Sequence, residues 1–178
     1  MSKASMHEYV ITHAISSYVS GFIVIAIPLA ISQCLAFVVF PLEGNFQGSF
    51  NTPVYLEDHQ YGGWLSQAVS LDPYLINLAY IGYASTCAGV AALFSFSLTF
   101  HLKQRLLALM TPSVAVLIVF ELMPLVGMNS ELYPAYYLYP SSYSSFGMLY
   151  ALAFPCFVAA ISILIIWGNV RFNRSVLL

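Results

Sequence analysis

The sequence predicts an all-α fold: a polytopic bundle of four transmembrane helices with both termini in the cytoplasm. Three observations predict it. Of the 178 residues, 60% are hydrophobic and 7% are charged, too little polar side chain to coat a water-facing surface. The apolar residues come in four blocks, each long enough to supply the roughly 20 helical residues that cross the hydrocarbon of a bilayer. The few cations collect at alternate ends of those blocks. Runs this long, with no alternation of polarity, are not the strands of about ten residues that build membrane barrels.

Each element follows in chain order, within one membrane domain spanning 1–178. The N-terminal MSKASMHEYVITHAISSYVSGF starts polar and turns apolar with no breaker before Pro28. Met6, Val10, His13, Ala14 and Ser17 share one helical face, so the first helix is expected either to extend out of the membrane or to run along its inner surface before turning up. The first span, near 15–40, contains SSYVSGFIVIAIPLAISQCLAFVVF and no charge. Its apolar run exceeds the 7 to 15 residues of a signal-peptide core, and Cys34 follows Gln33 where lipoprotein processing needs a small residue. The span is therefore expected to stay in the mature protein.

The outer loop 41–73 carries turn formers Gly44, Gly48, Pro53, Gly62 and Gly63 between Phe46, Phe50, Tyr55, Tyr61 and Trp64. This density of aromatics suits the headgroup level, and a folded cap with a short helix near 64–70 is expected there. The second span, near 74–100, is free of charge and repeats small residues at helical spacing: Gly82, Ser85, Gly89 and Ala92. Such a stripe lets another backbone approach closely. HLKQR, 101–105, forms the inner loop. The third span, near 106–128, holds a single acid, Glu121, and the outer loop 129–145 carries five tyrosines and two prolines in ELYPAYYLYPSSYSS. An aromatic belt is one reading of that loop, and a surface gripping a peptide or lipid is the other. The fourth span, near 146–168, is uncharged.

Lys and Arg resist transfer across a membrane, so they mark the cytoplasmic side of short loops. Lys3, Lys103, Arg105, Arg171 and Arg174 all fall on one side of a four-span chain. The two remaining loops have neither Lys nor Arg but hold Glu43, Glu57, Asp58, Asp72 and Glu131. Both ends are accordingly expected inside. Tyr9, His13, Lys103 and Arg105 are then the candidates for docking a cytoplasmic partner.

Pro28, Pro112, Pro124 and Pro155 each remove a backbone hydrogen bond inside a predicted span, which permits a kink in a mobile or a static bundle. Cys34, Cys87 and Cys156 all fall within spans at no metal-type spacing and read as small apolar fillers. Glu121 sits about 22 Å from the cytoplasmic start of its helix at roughly 1.5 Å per residue. A carboxyl at that depth marks a functional site by default. The alternatives are a neutral acid bonded to a neighbouring Ser, Thr or Tyr, or a side chain snorkelling outward past Pro124.

Several functions are excluded by what the sequence lacks. There is no G-x-x-x-x-G-K-[ST] phosphate loop, no H-E-x-x-H, no G-x-S-x-G turn and no pair of acids within a span. His7, Glu8 and His13 match no common metal-ligand spacing, and no basic patch could hold nucleic acid. A non-enzymatic membrane protein without a cofactor is expected. His101 beside Lys103 and Arg105 reads as an interfacial anchor.

The run HLKQRLLALMTPSVAVLIVFELMPLVG, the loop YLYPSSYSS and the closing WGNVRFNRSVLL together resemble the C-terminal part of bacterial ABC exporter permeases of the second type. The stretch YVITHAISSYVSGFIVIAIPLAISQCLAFVVFP is similar to a span of the same family with its cytoplasmic amphipathic lead-in. The likeness covers most of the chain as a pattern of spans and loop styles, whereas family members usually have six spans rather than four. The resemblance implies a subunit of the bacterial inner membrane that pairs with another membrane chain and with a cytoplasmic ATP-binding protein to move a peptide or lipid-like substrate. The alternative is an accessory, scaffold or immunity subunit that transports nothing.

Overall fold

The computed structural model describes residues 3–39, 73–102, 104–125, 127, 137–138 and 147–172. They form four helices: α1 Lys3–Val39, α2 Pro73–Leu98, α3 Arg105–Leu125 and α4 Gly147–Phe172. Three contain stretches long and apolar enough to cross a membrane, Glu8–Leu35, Leu78–Leu98 and Leu149–Arg171; in α3 the apolar stretch Leu106–Ile118 is shorter. The outer loop 41–73, with the short helix expected near 64–70, lies outside the described residues, as does Lys103.

Of the two courses open to the N-terminal segment, the chain takes the straight one. Helix α1 runs from Lys3 through Pro28 without a break. Its 37 residues span about 55 Å at 1.5 Å per residue, longer than the roughly 30 Å of hydrocarbon. The helix therefore starts about a dozen residues before the apolar span expected from 15. No Gly or Pro interrupts it before Ser20, so nothing in the backbone forces a turn there.

Helix α2 is the hub of the bundle. It packs against all three other helices and most extensively against α1, while α1 and α4 meet at only a few points. The link to α3 is tight. Successive carbonyls from Phe96 to Leu98 accept from the amides of Thr99 to Leu102, and the Gln104 carbonyl accepts from Ala108 to begin α3. A connection this short makes α2 and α3 antiparallel neighbours.

Helices α2 and α4 run in the same direction. The Tyr83 hydroxyl bonds to the Ala151 carbonyl near one end, and the Asn169 amide meets His101 Nε2 at 3.1 Å near the other; each pair is 68 residues apart. A constant offset between contacting residues is the signature of parallel helices in register. Helix α3 thus returns antiparallel to both and packs mainly against α2.

Among the described residues buried side chains are few, as expected where lipid rather than water is the solvent for apolar surface. Helix α3 exposes Leu106, Leu107, Leu109, Met110 and Leu117, while Ala108 is fully buried. Of the loop expected at 129–145, residues 137–138 are described. Its Tyr137 is completely buried and packs with Ala151, Tyr80, Tyr83 and Tyr150.

Candidate functional site

Small residues bring α1 and α2 into backbone contact. Val10, Ser17 and Gly21 lie at helical spacing on one face of α1: Val10 is buried, and the other two meet α2. Ser17 donates to the Ala92 carbonyl at 3.0 Å. A Cβ on Gly21 would stand 2.6 Å from the Ala92 Cβ and 2.8 Å from the Ala88 carbonyl oxygen. A Cβ on Gly89 would stand 2.8 Å from the Tyr18 ring and 3.0 Å from the Tyr18 carbonyl oxygen. Of the expected stripe, Gly89 and Ala92 sit at this crossing. Ser85 is fully buried, its hydroxyl bonded to the Ile81 carbonyl four residues back at 2.7 Å. Gly82 faces open space, with nothing within 4 Å of where its Cβ would be, so it takes no part in the close approach. Its place in the stripe rested on spacing alone.

On another side of α2, tyrosines tie the N-terminal ends of α2 and α4 to the segment bearing Tyr137. The Tyr80 hydroxyl donates to the Leu138 carbonyl, and the Tyr137 and Tyr150 rings pack with centroids 5.5 Å apart. Tyr83 donates to the Ala151 carbonyl at 3.1 Å. That bond has a specific cause. In α4 the residue four positions after Ala151 is Pro155, which has no N–H to give, so the Ala151 carbonyl lacks its helical donor. Tyr83 supplies one from the neighbouring helix, which is how a proline inside an apolar bundle is tolerated.

Immediately beside this cap, α2, α3 and α4 enclose an apolar groove of about 280 Å³. Its walls include Cys87 and Phe94 from α2, Pro112 and Val116 from α3, and Pro155 and Ile161 from α4. Cys87 and Pro155 each lie one turn beyond the Tyr83–Ala151 bond, so that bond is made one turn from the groove wall. Almost no polar atom faces the space, so it offers water no partners and suits an apolar occupant. The groove is at the small end of ligand pockets, which run from about 300 Å³ upward.

At the opposite end of α2 and α4, His101 is held rather than free. Asn169 donates to the Ile165 carbonyl at 2.9 Å and lies 3.1 Å from His101 Nε2, which accepts when that nitrogen carries no proton. One turn along, the Arg171 guanidinium lies over the Trp167 ring at 5.2 Å, a cation–π contact suited to a helix end at a membrane surface.

The remaining candidates are distributed around the bundle. Tyr9 and His13 are exposed on α1 one turn apart, with ring centroids 4.1 Å apart in an edge-on contact. Arg105 begins α3 and Glu121 lies in its last turns; their side chains fall outside the described residues. Cys34 and Cys156 are exposed on their helices rather than packed inside, while Cys87 lines the groove; all three are free thiols. Among the described residues, no three His, Cys, Asp or Glu side chains converge as metal ligands would.

Two features escaped the sequence reading although signals for both exist. Ser17 and Gly21 form a small-x-x-x-small pair, the α1 counterpart of the stripe on α2. Pro155 implies an orphaned carbonyl at Ala151, and the question of its donor points to a hydroxyl on a neighbouring helix. In the comparisons with known proteins, no family model matches the chain, and neither a curated protein nor a solved structure is similar to it.

Proposed function

We propose that this chain crosses the membrane four times with both termini in the cytoplasm, and that it is a permease subunit of an ABC-type exporter. It pairs with another membrane chain, and a separate cytoplasmic protein binds and hydrolyses ATP. The observation that carries this reading is the apolar groove between α2, α3 and α4, bounded by a proline from each of α3 and α4. An apolar groove suits a lipid-like or apolar peptide substrate, whereas an ion or sugar carrier needs polar groups at that depth. Prolines weaken the helices at the level where a passing substrate requires them to yield. The chain has no phosphate-binding loop, so any hydrolysis belongs to a partner. Tyr9 and His13 on the exposed face of α1, with Lys103 and Arg105 in the inner hairpin, form the surface for that partner.

A second reading is favoured by the α1–α2 crossing, where backbone approaches backbone and leaves no room for sliding. A bundle locked in this way suits a scaffold or accessory subunit, or an immunity protein. Purification of the tagged chain in gentle detergent separates the two. Recovery of an ATP-binding protein with a phosphate-binding loop, in constant ratio to the chain, supports the permease. Constant recovery of membrane partners without such a protein supports the scaffold and contradicts transport by this mechanism.

A further inference from the structure

We infer that Pro155 is a hinge in α4 and that the Tyr83 hydroxyl is the catch that holds it closed. This inference does not depend on whether the chain transports anything. It rests on three observations in one place. Pro155 interrupts the α4 ladder at the Ala151 carbonyl, so the segment from Gly147 to Phe154 is joined to the rest of the helix with one bond fewer. The missing bond is replaced across the helix pair rather than within the helix, by Tyr83 at 3.1 Å. One turn further along each partner lie Cys87 and Pro155, which line the apolar groove.

The consequences follow from the geometry. An ordinary helical bond ties a residue to its own helix, whereas this one ties the outer segment of α4 to α2. While the bond is made, Ala151 is buried, the Tyr150 and Tyr137 rings pack in a tilted contact, and Phe154 on the same segment is held in the groove wall. When it is broken, the Ala151 carbonyl needs a new donor. The segment from Gly147 to Phe154 can then tilt about Pro155, moving Phe154 out of the groove wall and opening the groove at that end. Tyr80 assists by donating to the Leu138 carbonyl, which secures the turn bearing Tyr137 over the same end.

The test measures access to the groove in the full chain in native membranes. The three native cysteines are replaced by alanine, because the Tyr83 hydroxyl is within hydrogen-bonding reach of the Cys87 thiol and would alter its reactivity directly. Ala91→Cys, on the groove wall, is the reporter, and its alkylation by membrane-permeant N-ethylmaleimide is followed by mass shift. Tyr83→Phe removes one hydrogen bond and should speed alkylation by about 2- to 10-fold. Adding Pro155→Ala, which gives Ala151 its own N–H, should return the rate to within about twofold of the parent. An unchanged rate in Tyr83→Phe, or a double variant as fast as Tyr83→Phe alone, overturns the inference. Should Tyr83→Phe not accumulate in membranes, Pro155→Ala alone decides: a rate at or below the parent supports the hinge, and a faster rate refutes it.

Discussion

Gly21 and Gly82 are the same residue type in the same kind of helix, yet their surroundings predict opposite responses to one added methyl group. At Gly21 the new Cβ would collide with both the Ala92 side chain and the Ala88 backbone, and backbone cannot step aside as a flexible side chain can. Gly21→Ala should therefore destabilise the bundle by about 1–3 kcal/mol, the usual cost of overpacking. Gly82→Ala meets open space and should be neutral, or stabilising by up to about 1 kcal/mol through helix propensity. Thermal unfolding in mild detergent, followed by circular dichroism, compares the two; equal shifts would contradict the crossing described here. Tyr137→Ala should be more damaging, near the 3–5 kcal/mol typical of an emptied aromatic site, because its ring is wholly buried; a melting temperature like that of the parent would count against the cap. At this scale the sequence was partly legible. Gly89 and Ala92 could be found from spacing, because small residues at helical intervals have few other uses in an apolar helix. Gly82 could not be told apart from them, since spacing selects a face but not the level at which two helices diverge. Tyr137 was hidden for a different reason: five tyrosines share one loop, and composition cannot say which ring turns inward.

Hydroxyl groups show how an element's own bonds differ from those that join elements. Ser162 donates to Val158, Thr86 to Gly82 and Thr111 to Leu107, each four residues back within its own helix. These bonds satisfy a polar group in an apolar setting without joining two helices. Ser17 donates instead across to Ala92. Ser17→Ala should cost about 0.6 kcal/mol, the average for hydrogen bonds between membrane helices, whereas Ser162→Ala should cost less because no second helix loses a partner. Chemical denaturation in mixed micelles can resolve the order of the two, and a larger loss at Ser162 would contradict the assignment of Ser17 to the α1–α2 interface. Helix existence was readable from block length, and helix ends were read less well. The start of α1 at Lys3 could not be fixed because MSKASMHEYV carries no breaker, and helix formation across it depends on packing of Val10 against the bundle. The turn between α2 and α3 lies between Leu98 and Arg105 and overlaps the loop expected at 101–105; it contains neither Gly nor Pro, so charge was the signal for it.

For the whole molecule, lipid is the solvent of the apolar surface, and four passes would bring all the cations to one side of it. Parallel α2 and α4, with α3 running the opposite way against α2, is the alternation of direction that four passes of one chain require of the last three. The small protein interior and the long apolar exposure of α3 follow from the same solvent. None of this identifies a substrate, because apolar walls discriminate weakly among apolar ligands. The groove itself was not legible in the sequence, since its walls come from three helices whose rotations depend on packing. The account is tested most directly by labelling Lys103→Cys, in a chain whose native cysteines are alanine, with a membrane-impermeant maleimide. No label should be taken up by intact cells, and full labelling should follow permeabilisation; ready labelling of intact cells would place the inner hairpin outside and contradict the four-pass orientation.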